Sequence, residues 1–186
     1  MQELINLAKA KPKQVSYASA GAGTITHLTV ELFLANARID MLHVPFKGGA
    51  PALVALVSGQ VQAIFNPIAE ILPQVRAGGK VRTLAVTSPK RVHDLPDVPT
   101  LAESGLPGCT VTTLSGIYVP AGTPRAIVDR LNAEINRMVR QPEVQERFQS
   151  AGLVPIGGTP AALGEYLRSE IARWTKVVKE AGIKID

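Results

Sequence analysis

The stretch SYASAGAGTITHL, Ser16 to Leu28, sets small residues and hydroxyls between a strand-like segment and a helix-like one. At such a turn glycines let the backbone come close to a ligand, and the first helical amides point outward at the positive end of the helix dipole. The chemistry this supports is anion binding. The pattern is neither the phosphate-cradling GxxxxGK[ST] nor the dinucleotide GxGxxG, because Thr26 and His27 stand where a further glycine and a lysine would be needed. A carboxylate is a smaller target that two or three amides and a hydroxyl satisfy. Ser19, Gly21, Gly23, Thr24 and Thr26 are the expected contacts. Taken alone, the turn reads equally well as a tight helix start that holds nothing.

Two neighbouring turns tip that balance. HVPFKGGAP at residues 43 to 51 offers Phe46 to cover an apolar ligand body, Lys47 to add a charge, and Gly48 with Gly49 as a second small-residue helix start. FNPIAE at 65 to 70 offers Asn66 as donor or acceptor beside a proline-fixed turn. Three such turns on one edge of a sheet make a binding cleft.

Catalysis finds less support. His27 is placed to act as a base for Ser19 or Ser115, but no GxSxG elbow is present and no carboxylate stands at a telling position, so His27 is expected to pack or cap its own helix. His43 falls at a strand end and His93 in a loop; without HxxxH, CxxC or a carboxylate cluster, no metal site or cofactor is expected. Cys109 has no basic neighbour to activate it and reads as a small apolar residue at a strand start. Asp94, Asp97 and Glu103 lie among prolines as loop and capping groups. No catalytic residue is assigned. A free-standing α/β enzyme or sensor acting on a small anion is the alternative to a binder.

Short apolar runs alternating with amphipathic stretches would position these turns. The runs are 15–18, 41–44, 61–65 and 81–87, with helices beginning near Thr24, Ala50, Ile68 and Leu101 and an amphipathic helix within MQELINLAKAKPKQ. In the helix from Thr24, the residues Ile25, Leu28, Leu32 and Ala35 are expected to form the buried face. The rhythm predicts a mostly parallel sheet with helices on both faces, and right-handed crossovers put the loops after the strands along one edge. The 186 residues carry a net charge of +5 spread without a basic stripe, and 4% aromatics leave little to stack on bases, so no nucleic-acid partner is expected.

From Cys109 the pattern changes. The run 109–119 is long for one strand and carries Gly116 inside it, which lets a strand bend or pass between two bodies. Thr123 and Thr159 are expected as helix caps with Pro124 and Pro160 in the first turn. Ile127, Leu131, Ile135 and Met138 would share one helix face, and Leu163, Leu167, Ile171, Trp174 and Val178 another, which Gly182 ends. Apart from a short run at 153–156, nothing nearby covers these faces. The division expected is residues 1–113 and 114–186.

The strings VSYASAGAGTITHLTVELF, HVPFKGGAPALVALVSGQVQAIF, VRTLAVTSPKRVHDLPDVPTLAESGLPG and VPAGTPRAIVDRLNAEINRMV, in this order, resemble the Bug family, the TctC-type solute receptors of tripartite tricarboxylate transporters. The resemblance runs from near Met1 to Ile185. It implies a two-lobed, periplasmic-binding-protein-like type II fold closing on a small carboxylate or related solute and delivering it to membrane subunits in the periplasm. By that likeness, 1–113 is the second lobe, and 114–186 is the crossing strand plus C-terminal helices of the first lobe, whose earlier part is missing. Self-association or a separately supplied first-lobe fragment would then cover the helix faces. The family's carboxylate contacts map onto Ser19, Ala20, Gly21, Gly23 and Thr24. Relatives often carry an acid where this chain has Asn66, which disfavours amino acids against plain carboxylates. They also often carry aromatics where Leu114 and Ser115 stand, which removes a stacking surface.

Overall fold

The computed structural model describes residues 1–183, so the last residues of the expected 114–186 segment lie outside it. The chain divides into two compact units, one made of Met1–Thr113 with the chain from Trp174 onward, the other of Leu114–Arg173. The chain from Trp174 groups with the first unit rather than with the helices before it.

In the first unit, α1 (Gln2–Ala10) precedes β1 (Ser16–Ser19), α2 (Ile25–Ala37), β2 (Leu42–Pro45), α3 (Gly49–Val57), β3 (Ala63–Ile64) and α4 (Ile68–Arg76). The sheet is parallel with order β2-β1-β3. β1 is buried along its length because it is central, and its successive side chains serve opposite faces. Tyr17 joins a core of α1 and α2 residues, including Ile5, Val30, Phe33 and Leu34. Ala18 joins Ala52, Ala55 and Val61 on the α3 side. Both faces are therefore covered, and the small residues of the second cluster let α3 lie close to the sheet.

Several expectations need correction. The run 81–87 is not a strand: Val86 alone makes a parallel bridge, to Thr100. The helix expected near Leu101 is a series of turns ending in a 3-10 turn, Pro107–Cys109. Thr100 and Glu103 close a reciprocal cap there, Thr100 N donating to Glu103 Oε2 at 2.8 Å and Glu103 N to Thr100 Oγ1 at 3.0 Å. The run 109–119 is not a strand either; Val111 exchanges hydrogen bonds with Thr87, its amide donating to Thr87 O and its carbonyl accepting from Thr87 Oγ1, and the ladder stops there. Cys109 thus sits buried in the 3-10 turn rather than at a strand start. A β-rich run becomes a strand only where a neighbouring backbone offers a ladder, and these find one for a single step. Finally, α2 buries Leu28, as expected, with Val30, Phe33, Leu34 and Ala37, while Ala35 is exposed and Ile25 and Leu32 are half-buried. Apolar residues surround this helix, so its period did not single out one face.

The second unit holds α5 (Arg125–Met138), α6 (Pro142–Ser150) and the start of α7 (Pro160–Glu180). Pro124, not Thr123, is the N-cap of α5, and Thr123 Oγ1 donates to Pro120 O. Thr159 does cap α7, its Oγ1 accepting from Ala162 N at 3.1 Å. The segment 153–156 forms no strand. It leads to Gly158, whose amide donates to Asn136 Oδ1 at 2.9 Å and whose carbonyl accepts from Asn132 and Asn136 at 2.8 Å. Neither α5 nor α6 buries a residue, and Ile127, Leu131, Met138, Val154 and Ile156 are exposed.

Candidate functional site

The strand order makes β1 the point where chain direction reverses, α2 leading to the strand on one side and α3 to the strand on the other. In open parallel sheets, crevices form at the carboxyl end of such a strand. Here that end is Ser19, followed by the turn to α2. Phe46 N donates to Ser19 O at 3.0 Å and Gly48 N to Ala20 O at 3.1 Å, so the loop after β2 is laced to the loop after β1. The loop after β3 joins them: Asn66 Nδ2 donates to Glu70 Oε2 at 2.9 Å, and that oxygen lies where a side chain at Gly49 would collide with it. Asn66 Oδ1 is buried and has no donor. The three turns singled out in the sequence meet at one edge.

Within the first turn the hydroxyl protons can be assigned. Thr24 Oγ1 donates to Gly21 O at 2.7 Å, and Thr26 Oγ1 accepts from Ala20 N at 2.9 Å. The two hydroxyls are 2.9 Å apart. Each has one proton, and that of Thr24 is committed to Gly21, so Thr26 must donate to Thr24. The run is Ala20 N–H to Thr26 to Thr24 to Gly21 C=O. Gly21 and Gly23 lie at positive φ, 132° and 73°, which side chains rarely adopt. One consequence is that Thr24, the N-cap of α2, makes no side-chain cap hydrogen bond. The starts of α3 at Gly48 and α4 at Pro67 also lack one.

Behind the turn lies a layer of rings. His27 and His43 stack with centroids 3.9 Å apart and planes 7° off parallel, and Tyr17 stacks on His43 at 4.9 Å. Tyr17 and His43 are paired across the β1–β2 ladder, which brings the rings together. Gly23 N donates to His27 Nδ1 at 3.1 Å, and His27 Nε2 faces Glu31 Oε1 at 3.6 Å. Tyr17 O–H donates to the same carboxylate oxygen at 2.5 Å. Ser19 Oγ and His43 Nε2 are hydrogen-bonded at 2.7 Å. Burial lowers the His27 pKa against an opposing pull from Glu31; burial and then the neighbouring His27 push His43 down to about 4. Burial, with the Glu31 hydrogen bond, raises that of Tyr17. Both imidazoles are neutral at neutral pH.

Ser19 is fully buried and Thr26 nearly so, while Ala20, Gly21, Gly23 and Thr24 are partly open. Gly48 and Asn66 are partly open and Lys47 is exposed. Phe46 packs against the Ala18, Ala52, Ala55 and Val61 cluster, so much of its ring serves the core. His27 packs in the ring layer and accepts from the loop amide of Gly23 just before its helix, and the partner of Ser19 is His43 and not His27. The ring stack and the Glu31 and Glu70 carboxylates were missed; the spacing of His27 and Glu31 by one helical turn was the one local signal. Among the described residues no group of three or more His, Cys, Asp or Glu could hold a metal, and no helix is long and apolar enough to cross a membrane.

A parallel α/β lobe with its helix starts gathered at the switch point is the architecture of periplasmic-binding-protein-like lobes. The chain belongs to the tripartite tricarboxylate transporter family receptor family, TctC, whose profile matches residues 1–183. It is similar to the UPF0065 protein of the tcbD-tcbE intergenic region in Pseudomonas sp. strain P51, 42% identical over 96% of this chain and 53% of that protein. It is similar also to two solved structures. The first is R. palustris Rpa4515 with adipate, at TM-score 0.90 and 34% identity over 98% of this chain and 61% of that one. The second is MatC (Rpa3494) of Rhodopseudomonas palustris with bound malate, at 0.81 and 35% over 96% and 61%. The chain thus spans about half the length of that curated relative. The family is one of receptors, not enzymes, which sets the free-standing enzyme aside.

Proposed function

We propose that this chain is the ligand-binding lobe of an extracytoplasmic solute receptor that holds a small carboxylate for uptake by a tripartite tricarboxylate transporter. The observation that carries this reading is the uncapped start of α2 at the carboxyl end of β1, in a family with structural neighbours solved with adipate and malate. The ligand carboxylate accepts from amides of the turn 20–26, and Asn66 Oδ1 receives a donor group of the solute. Residues 1–113, with the chain from Trp174 grouped with them, act as the second lobe. The helical chain between Thr123 and Arg173 belongs with a first lobe, and enclosure of the solute by both lobes precedes delivery to the membrane subunits in the periplasm. The 186-residue chain binds weakly, because half of the contacts come from elsewhere.

The test is a titration of the 15N-labelled chain with adipate, followed by amide chemical shifts. Signals of Gly21, Gly23, Thr24 and Thr26 are expected to move, and Thr24→Ala, which breaks the run from Thr26 through Thr24 to Gly21 that orders the turn, to weaken the binding about tenfold. Shifts confined to other regions, or an unchanged affinity in the variant, would refute the site.

The exposed apolar residues of α5, Ile127, Leu131 and Met138, carry a second expectation. They take cover from the remainder of the first lobe in a longer equivalent, and from a second copy in this chain. Light scattering across a concentration series is expected to show a mass above that of a monomer. A monomer that binds no apolar dye would contradict the lobe assignment.

A further inference from the structure

We propose that His27 is a positioning residue that decides whether the Gly23 amide is free for a ligand carboxylate. The inference rests on the carboxylate-receptor reading and deepens it. Its ground is a matter of proton count. An amide N–H can only donate, so the 3.1 Å contact from Gly23 N requires a lone pair on His27 Nδ1. Neutral His27 therefore carries its proton on Nε2, facing Glu31 Oε1 at 3.6 Å. In this state the ring occupies a turn amide that a ligand would otherwise use.

Protonation at Nδ1 inverts the contact. One solvent proton adds to the lone pair, no other bond breaks, and two N–H groups then face each other across that distance. The arrangement is relieved when an anion accepts from both. A ligand carboxylate at the turn thus raises the proton affinity of His27, and by reciprocity a proton on His27 raises affinity for the carboxylate. The charged and titratable groups facing the ring are Glu31 on its own helix, His43 on β2 and Tyr17 on β1. Glu31 favours the added proton. The stacked His43 opposes a second one, since two like charges at a 3.9 Å stacking distance repel, and its own bond to Ser19 ties the stack to the end of β1. Without ligand, the fold holds both rings below their ordinary pKa. The unfolded chain then binds more protons, and stability falls as pH drops through the ordinary histidine range.

The test is 15N NMR of the imidazoles and the Gly23 amide in the labelled 186-residue chain across the acid range, first without ligand and then with adipate. Without ligand, His27 is expected as the Nε2–H tautomer at neutral pH, and the Gly23 signal to move with the same midpoint as His27. His27→Gln should abolish that movement. Glu31→Gln serves if that variant does not fold: it lowers the His27 midpoint, and the Gly23 midpoint must follow. With adipate the His27 midpoint should rise, and affinity should be about threefold or more higher near the lower end of the range than at neutral pH. A Gly23 signal that titrates apart from His27, or that stays put when Glu31→Gln moves His27, overturns the proposal. If adipate perturbs the turn while Gly23 and His27 titrate apart, the positioning role fails and the receptor reading stands. If the two titrate together and adipate perturbs neither, the receptor reading fails and with it the role of the pair in ligand capture.

Discussion

Phe33→Ala is expected to lower the unfolding free energy by about 3–5 kcal/mol, measured by denaturant unfolding followed by circular dichroism. Phe33 has no exposed surface and sits in the larger core beside Tyr17, Val30 and Leu101, with its ring 5.3 Å from that of Phe65. Removing it takes apolar atoms out of a packed site and leaves a cavity the sheet cannot collapse to fill. For a domain whose net stability is about 5–15 kcal/mol, that is a large part of the total. The exposed Leu131 on α5 gives the contrast, since Leu131→Ala in the monomeric state should change stability by only about 0.5 kcal/mol. A loss below about 1 kcal/mol for Phe33→Ala would show that α2 does not anchor this core.

Thr26→Val should affect both stability and binding. The valine has nearly the shape of threonine but cannot accept from Ala20 N or donate to Thr24, so the ordered run of donors through the turn is cut at its middle. Thr26 is 7% exposed, and the part-buried Ala20 amide left facing a methyl group costs about 1 kcal/mol. The turn then no longer aims its amides, and adipate binding is expected to weaken about tenfold or more. Thr26→Ser restores the run and should restore both quantities. Equal binding by the valine and serine variants would show that the hydroxyl does not order the turn.

The alternation of β1 to β3 with α2 to α4 was legible because each element is short, local and bounded by glycine or proline. The start of α2 after Thr24, of α3 beside Gly49 and of α4 at Ile68 could be read from those boundaries alone. The strands expected at 81–87 and 109–119 were not, because strand formation is decided by a partner backbone that no local pattern records. Val86 makes one parallel bridge and Thr87 meets Val111, and neither contact extends into a strand. The turn donors of the site were legible by residue type. The ring layer beneath them was hidden, since Ser19 and His43 are brought together by the register of a sheet and not by spacing along the chain.

Thr24 stands where threonines usually secure a helix, yet its hydroxyl is turned back to Gly21. By doing so α2 forgoes about 0.5–2 kcal/mol that a satisfied cap contributes. On the proposed carboxylate reading, an incoming anion completes the helix, so occupancy and folding become one linked equilibrium and the loaded lobe is expected to melt at a higher temperature. A chain selected for stability alone would fill the cap with its own side chain and lose the place for a guest.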